Sequence, residues 1–314
     1  MHVPEPLEID ANVLERFVNE LIYTLPGTCS HRDVFTLLIT GSRAIGMHTP
    51  TSNVDIDVLC AQPVYESVQR ASFEAGIIQS ERSFWFVLRN GNWDQYFGKA
   101  MGRPHFSLTS LAKVEEHFRN YEDVPMWVWL NAKSVADPNE QFQRIRNSWH
   151  GYPPDVLVKK IKYHWLLAGY WEIDVYPHHH VSDDELLPAS LALLNGVNET
   201  LRVFFLVEGK PFPYTEKLMR LAASQTSLGK EFCPMLQRVV DMVLGKVGGS
   251  LGPWDRLRKA FRYLAVSSRS ADCRRFIEAC GKAMVAAGVE PAWVKADLDN
   301  IEELLMGELG PSPQ

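Results

Sequence analysis

The 314-residue chain has no GxxxxGK[ST] element, no CxxC pair, no surplus of basic residues and no internal repeat or low-complexity tract. Each absence closes a door. Without the first, the usual glycine-rich phosphate loop of the P-loop enzymes is excluded. Five cysteines, Cys29, Cys60, Cys233, Cys273 and Cys280, are odd in number and scattered. They read as buried, reduced thiols in a cytoplasmic setting. Lys and Arg number 32 against 38 Asp and Glu, for a net charge of −6 and a pI near 5.9. That balance argues against a footprint on a nucleic-acid backbone and suits a small or cationic substrate. No apolar run approaches the ~20 residues of a membrane span. The opening MHVPEPLEIDANVLERF is acidic and proline-bearing, unlike a signal or transit sequence. The expectation is a cytoplasmic protein with no membrane partner, as a monomer or a homodimer.

Apolar residues make up 46% of the chain and charged residues 22%, the composition of a globular protein long enough for two domains. Asn12–Leu25 spaces its apolar residues at three and four, which predicts an amphipathic helix. Asp33–Thr40 reads as a buried strand ending at Gly41, and VDIDVLC as a second strand. YESVQRASFEAGI has a helical period, SFWFVLRN and PHFSLTSL read as strands, and Ser110 is placed to cap a following helix. From Asp155 onward every long segment is helical in period, and the GYPPD punctuation marks the change. The predicted class is α+β: an α/β domain with a mixed sheet over residues 1–150, then a helical bundle over 151–314.

The informative stretch is LLITGSRAIGMHTPTSNVDIDVLC. Alternate residues of a strand share a face, so Asp55 and Asp57 point one way while Val54, Ile56 and Val58 point the other. Two carboxylates that close repel each other, and a chain tolerates them mainly where a cation joins them. Gly41 lets the backbone approach a ligand closely, and Ser42 adds an uncharged hydrogen-bond donor. Hard carboxylate oxygens suit Mg²⁺, an ion that usually shares its shell with substrate phosphates. These parts fit a nucleoside triphosphate held by Mg²⁺, with a hydroxyl attacking phosphorus.

The pattern GSRAIG…SNVDIDV resembles the signature of the polymerase-β-like nucleotidyltransferase superfamily, and more narrowly the aminoglycoside and lincosamide nucleotidyltransferases. Leu130–Ile145, with Asp137 in its Asp-Pro turn, is similar to the segment that ends their catalytic domain. Leu201–Met219 is similar to a segment of their helical domain. The resemblance implies that Gly41 and Ser42 contact the triphosphate with help from Arg43. It implies that Asp55 and Asp57 ligate one or two Mg²⁺, and that Lys217 reaches the phosphates. It further implies transfer of a nucleoside monophosphate, AMP from ATP in the first instance, to a hydroxyl of a small molecule such as an antibiotic. Those proteins carry a third carboxylate on a neighbouring strand. The corresponding stretch here, GRPHFSLTSL, offers His105 and Ser107 and no acid. The candidate general bases are therefore His105, in the expected strand, and Asp94, the nearest carboxylate upstream; Glu115 and Glu116 follow on a predicted helix. Two other readings stay open: transfer to tRNA or a protein, and a non-catalytic regulatory protein that keeps the fold.

Other features read as structural. The three adjacent histidines of Pro177–Glu185 cannot easily aim at one ion and read as a solvated loop. Trp127 and Trp129 read as core, and Tyr163, His164, Trp165, Tyr170 and Trp171 as core with the option of lining an acceptor cleft.

Overall fold

The run TLLIT forms strand β1, Thr36–Thr40, and nearly all of it is buried. An interior strand covered on both faces needs such continuous apolar character. In this computed structural model the described residues are 16, 19, 34–49, 52–76, 85–86, 104–168, 185–247, 251–264 and 271–295. The chain divides into two units, Met1–His150 and Gly151–Gln314. The predicted first helix lies almost wholly outside the described residues, and so does Asp94.

In the first unit β1 runs into a single helical turn, α1 (Gly41–Ala44), and a loop leads to β2 (Val54–Cys60). Helix α2 (Gln62–Glu74) begins three residues before the predicted segment, because Pro63 sits in its first turn. Strands β3 (Trp85–Phe86) and β4 (Pro104–Ser110) follow. Helix α3 (Leu111–Arg119) opens with the Ser110 side chain accepting from the Lys113 amide at 3.2 Å, as the sequence predicts. Helix α4 (Asp123–Asn131) buries both Trp127 and Trp129, so those residues are core. A short strand β5 (Lys133–Ala136) and helix α5 (Gln141–Asn147) complete the described unit. Strand β5 is absent from the sequence reading, since its four residues, KSVA, carry no apolar alternation.

The strands form one mixed sheet in the order β3-β4-β2-β1-β5. Strand β2 is antiparallel to β1 and parallel to β4. Its alternation is clean: Val54, Ile56 and Val58 are buried, while Asp55 and Asp57 are partly accessible.

The described part of the second unit is helical: α6 (Pro154–Leu166), α7 (Leu186–Leu206), α8 (Thr215–Gln225), α9 (Ser227–Val243), α10 (Pro253–Leu264), α11 (Ala271–Ala286) and α12 (Pro291–Lys295). Its core is built around α7, where Leu193, Val197, Leu201 and Val203–Leu206 are all buried. The molecule is therefore of the α+β class. Burial pushes the thiols of Cys60 and Cys233 up to about 12, far from reactive thiolate character. No helix among the described residues is long and apolar enough to cross a membrane.

Candidate functional site

The sheet register assembles the candidate residues of the first unit. In the antiparallel ladder Asp55 pairs with Thr40 and Asp57 with Leu38. In the parallel ladder Asp55 pairs with His105 and Asp57 with Ser107. Strand β4 therefore places an imidazole and a hydroxyl beside the two carboxylates. The sequence alone did not fix this register.

Asp57 is held by hydroxyls. Thr40 Oγ1 donates to its Oδ2 at 2.5 Å, and Ser107 Oγ donates to its Oδ1. Burial pushes its carboxyl above the usual carboxylate range; the two hydroxyl bonds oppose that rise, and the nearby charge of Asp55 adds to it. Asp55 is more open, with a side chain 31% exposed. Its Oδ1 lies 3.2 Å from His105 Nδ1. The other ring nitrogen, Nε2, lies 3.0 Å from Asn53 Nδ2. The same Asn53 nitrogen lies 3.5 Å from Nδ1, so it sits off the line of the Nε2 lone pair.

Gly41 begins α1 with φ +65, and a Cβ at this position would sit 2.0 Å from Asp55 Oδ2. No side chain fits there, so the turn after β1 rests directly on the carboxylate. Among the described residues the Ser42 hydroxyl has no hydrogen-bond partner. Arg43 is buried, and its guanidinium faces its own loop: Nε donates to the Asn53 carbonyl at 3.1 Å and Nη2 to the Ser52 carbonyl at 2.7 Å. Burial lowers its pKa, with Asp55 opposing the shift. Arg43 thus fastens the turn of Gly41 to the residues that lead into Asp55.

Other sequence candidates sit elsewhere. Glu115 is exposed on α3, and Glu116 pairs with Lys113 at 2.9 Å. Asp137 is structural: it accepts from Thr36 Oγ1 at 2.8 Å and from the Gln143 amide at 3.0 Å. Lys217 belongs to the second unit, on α8, with Nζ 3.3 Å from Glu216. Thr40 and Asn53 were missed as site residues, because only strand pairing brings them to the carboxylates.

A metal ion would find two hard carboxylates on one strand face, overlaid by a turn that only glycine can make. Neither oxygen of Asp57 accepts a hydrogen bond from a cationic side chain. That donor set fits a divalent ion. Among the described residues no group of three or more His, Cys, Asp or Glu side chains is placed to hold a metal ion. Most of the shell would belong to water and a ligand, as is usual for Mg²⁺.

The second unit holds a different cluster. His164 Nδ1 on α6 lies 2.5 Å from Glu199 Oε2 on α7, and Arg202, one turn further along α7, donates to Glu199 Oε1. The Arg202 guanidinium lies over the Phe212 ring at 5.2 Å, and His164 meets the same ring edge-on.

Comparison with known proteins adds little that is specific. Residues 119–218 match a family model described as a domain of unknown function, DUF4037. That segment includes His164, Glu199, Arg202 and Lys217, and it begins after Gly41, Ser42, Asp55 and Asp57. No curated protein matches the chain. Among solved structures, the chain is similar to a nucleotidyltransferase-like protein from Exiguobacterium sibiricum 255-15. The identity is 9% and the TM-score 0.40, over 86% of this chain and 78% of that one.

Proposed function

We propose that the chain is a nucleotidyltransferase. It transfers a nucleoside monophosphate, AMP from ATP in the first instance, to a hydroxyl of a small molecule and releases pyrophosphate. The observation that carries this reading is the face of β2. There Asp55 and Asp57 share one face, Asp55 against the Gly41 turn, with hydroxyls and an imidazole as the hydrogen-bond partners shown for their oxygens.

Asp55 and Asp57 would hold Mg²⁺. When bound, the ion supplies charge neutralisation for the triphosphate. The chain's own residues do the rest. The turn at Gly41 brings backbone against the carboxylate, so that a phosphate and its ion share one small space. Ser42 donates its hydroxyl to a phosphate oxygen, and Arg43 holds the loop in place behind them. In the reaction the acceptor oxygen bonds to the α-phosphorus and the bond to the β-phosphate oxygen breaks. That electron pair leaves on pyrophosphate, and the acceptor proton passes to a base. Positioning and charge stabilisation supply most of the acceleration.

Nδ1 of His105 lies 3.2 Å from Asp55, which favours it as a partner of that carboxylate over a free base. Asp94 is the remaining sequence candidate for the base. For Lys217, on α8 of the helical unit, a phosphate contact is what the resemblance of the motifs implies. The acceptor class, a small hydroxylated molecule such as an aminoglycoside or lincosamide, rests on the resemblance of the motifs.

A non-catalytic nucleotide-binding protein is the second reading, favoured by one observation: the residues paired with Asp55 and Asp57 on β4 are His105 and Ser107, and neither is an acid. Pyrophosphate release from ATP and Mg²⁺ across a panel of hydroxylated molecules separates the two. Release that depends on acceptor and is lost in Asp55→Asn supports the enzyme. Binding of ATP without release under every acceptor supports the second reading.

A further inference from the structure

The cluster at His164 has no part in the reading of β2, and it lies within the segment that the family model matches. His164 on α6 and Glu199 on α7 are both buried, a setting in which charged side chains are rare unless paired. Glu199 spends its two oxygens on two partners. Oε2 lies 2.5 Å from His164 Nδ1, and Oε1 accepts from Arg202. Phe212 sets those partners side by side: the Arg202 guanidinium lies over its ring and His164 meets it edge-on, each 5.2 Å from the centroid. A brace between helices uses the inner nitrogens alone. Among the described residues the outer two, His164 Nε2 and Arg202 Nη2, make no hydrogen bond. Neither is sealed from water, whereas the Nε of Arg202 is sealed and unpartnered. Next to His164 stands Tyr163, 54% exposed, its ring edge-on to the imidazole with centroids 5.2 Å apart.

We propose that His164 and Arg202 form a binding site of the helical unit for a hydroxyl of a small polyhydroxylated molecule, a sugar or a polyol ring. Glu199 accepts from Nδ1, so the neutral imidazole presents its lone pair at Nε2. Arg202 already answers the charge of Glu199, and a neutral imidazole leaves the cluster balanced. The ligand hydroxyl donates to Nε2 while its oxygen accepts from Arg202 Nη2. An oxyanion brings no proton for Nε2, and an ammonium group is repelled by Arg202; a hydroxyl satisfies both atoms. A carboxylate that holds an imidazole by one nitrogen and turns the other toward a hydroxyl is a recurrent arrangement in proteins. The exposed ring of Tyr163 offers an apolar surface for the carbon skeleton of the ligand. On the reading of the chain as a nucleotidyltransferase this molecule is the acceptor. The binding itself does not depend on that reading, and its test uses no nucleotide.

Diethyl pyrocarbonate acylates an open, unprotonated imidazole nitrogen, and peptide mass mapping of the full-length protein locates the label. His164 is expected to be labelled in the folded wild type, and at least one of glucose, ribose and inositol should protect it. Arg202→Lys keeps a cation beside Glu199 but replaces the guanidinium fork with a single nitrogen. It should leave His164 labelled and weaken the protection about tenfold or more, the loss of a hydrogen bond to a charged donor. Tyr163→Ala, at an exposed position, should weaken it about threefold. Circular dichroism checks the fold of each variant. A wild-type His164 that resists labelling would overturn the open nitrogen. Labelling that none of the three polyols slows, or protection undiminished in either variant, would overturn the hydroxyl site. Protection by inorganic phosphate in place of the polyols would mark an oxyanion site and overturn the proposal as well.

Discussion

Two clusters of carboxylates, one in each unit, are built on opposite plans. In the helical unit Glu199 accepts from Arg202 and His164, so its charge is answered from within the fold. In the sheet unit Asp57 accepts, among the described residues, from the hydroxyls of Thr40 and Ser107, with Asp55 two residues away on the same face. Hydroxyls satisfy oxygen lone pairs without cancelling charge. Burial consequently raises the Asp57 carboxyl above its usual range. A carboxylate whose cation is part of the protein stabilises the fold it sits in. In the proposed function the pair on β2 takes its cation with the nucleotide, which relieves the repulsion between the two carboxylates.

The contrast is broken most severely at Asp55. Asp55→Asn should reduce pyrophosphate release at least ~10³-fold, since it removes an ion ligand where charge develops. The same exchange in the other cluster should act on folding instead. Glu199→Gln leaves Arg202 and His164 without their anion in a mostly buried setting, and thermal or urea unfolding should show a loss of about 3 kcal/mol or more. Nucleotide affinity measured on the folded protein should survive that change.

Asp57→Asn sharpens the comparison through its sign. A carboxyl raised by burial favours its protonated form in the fold. Its contribution is full below the ordinary aspartate value of ~4 and is lost as pH rises through the raised folded value. Without divalent ions the wild type should therefore lose stability as pH climbs from ~4 toward neutrality. Asp57→Asn should flatten that limb and be neutral to about 1 kcal/mol more stable at neutral pH. A steeper limb in the variant would contradict this account. Lys217→Ala is the mildest change. Its pairing with Glu216, 69% exposed, predicts a stability effect of about 0.5 kcal/mol or less. A rise in KM for ATP with little change in kcat would identify it as a phosphate contact.

Much of this was readable in the sequence, and what was missed follows from what strands hide. The Gly-Ser turn, the alternation of VDIDVLC and the Ser110 cap are local patterns, and each appears where the periodicity put it. Thr40 and Asn53 were invisible as site residues because their partners lie on other segments, brought close only by the ladders of β1 and β4. His105 was singled out by its place in the suspected strand, but the identity of its neighbour depended on register, since a one-residue slip would turn it to the other face. Arg43 shows the reverse limit. Its place in the motif implied a phosphate contact; in the structure Nε and Nη2 donate to two carbonyls of its own loop, while Nη1 has no hydrogen-bond partner. His164 was read as core with the option of lining an acceptor cleft and its charge cluster was missed, because Glu199 and Arg202 are ordinary helix residues until α6 packs against α7.

The central claim is that Asp55 and Asp57 hold a divalent ion that comes with the nucleotide. It is tested most directly by thermal unfolding of the wild type with ATP, with and without Mg²⁺, beside Asp55→Asn. ATP and Mg²⁺ together, at 100 times the dissociation constant, should stabilise the wild type by about 2.7 kcal/mol. ATP in chelator should do far less, and the Asp55→Asn variant should show neither effect. Equal stabilisation by ATP with and without Mg²⁺, or a full effect retained in Asp55→Asn, would contradict the account.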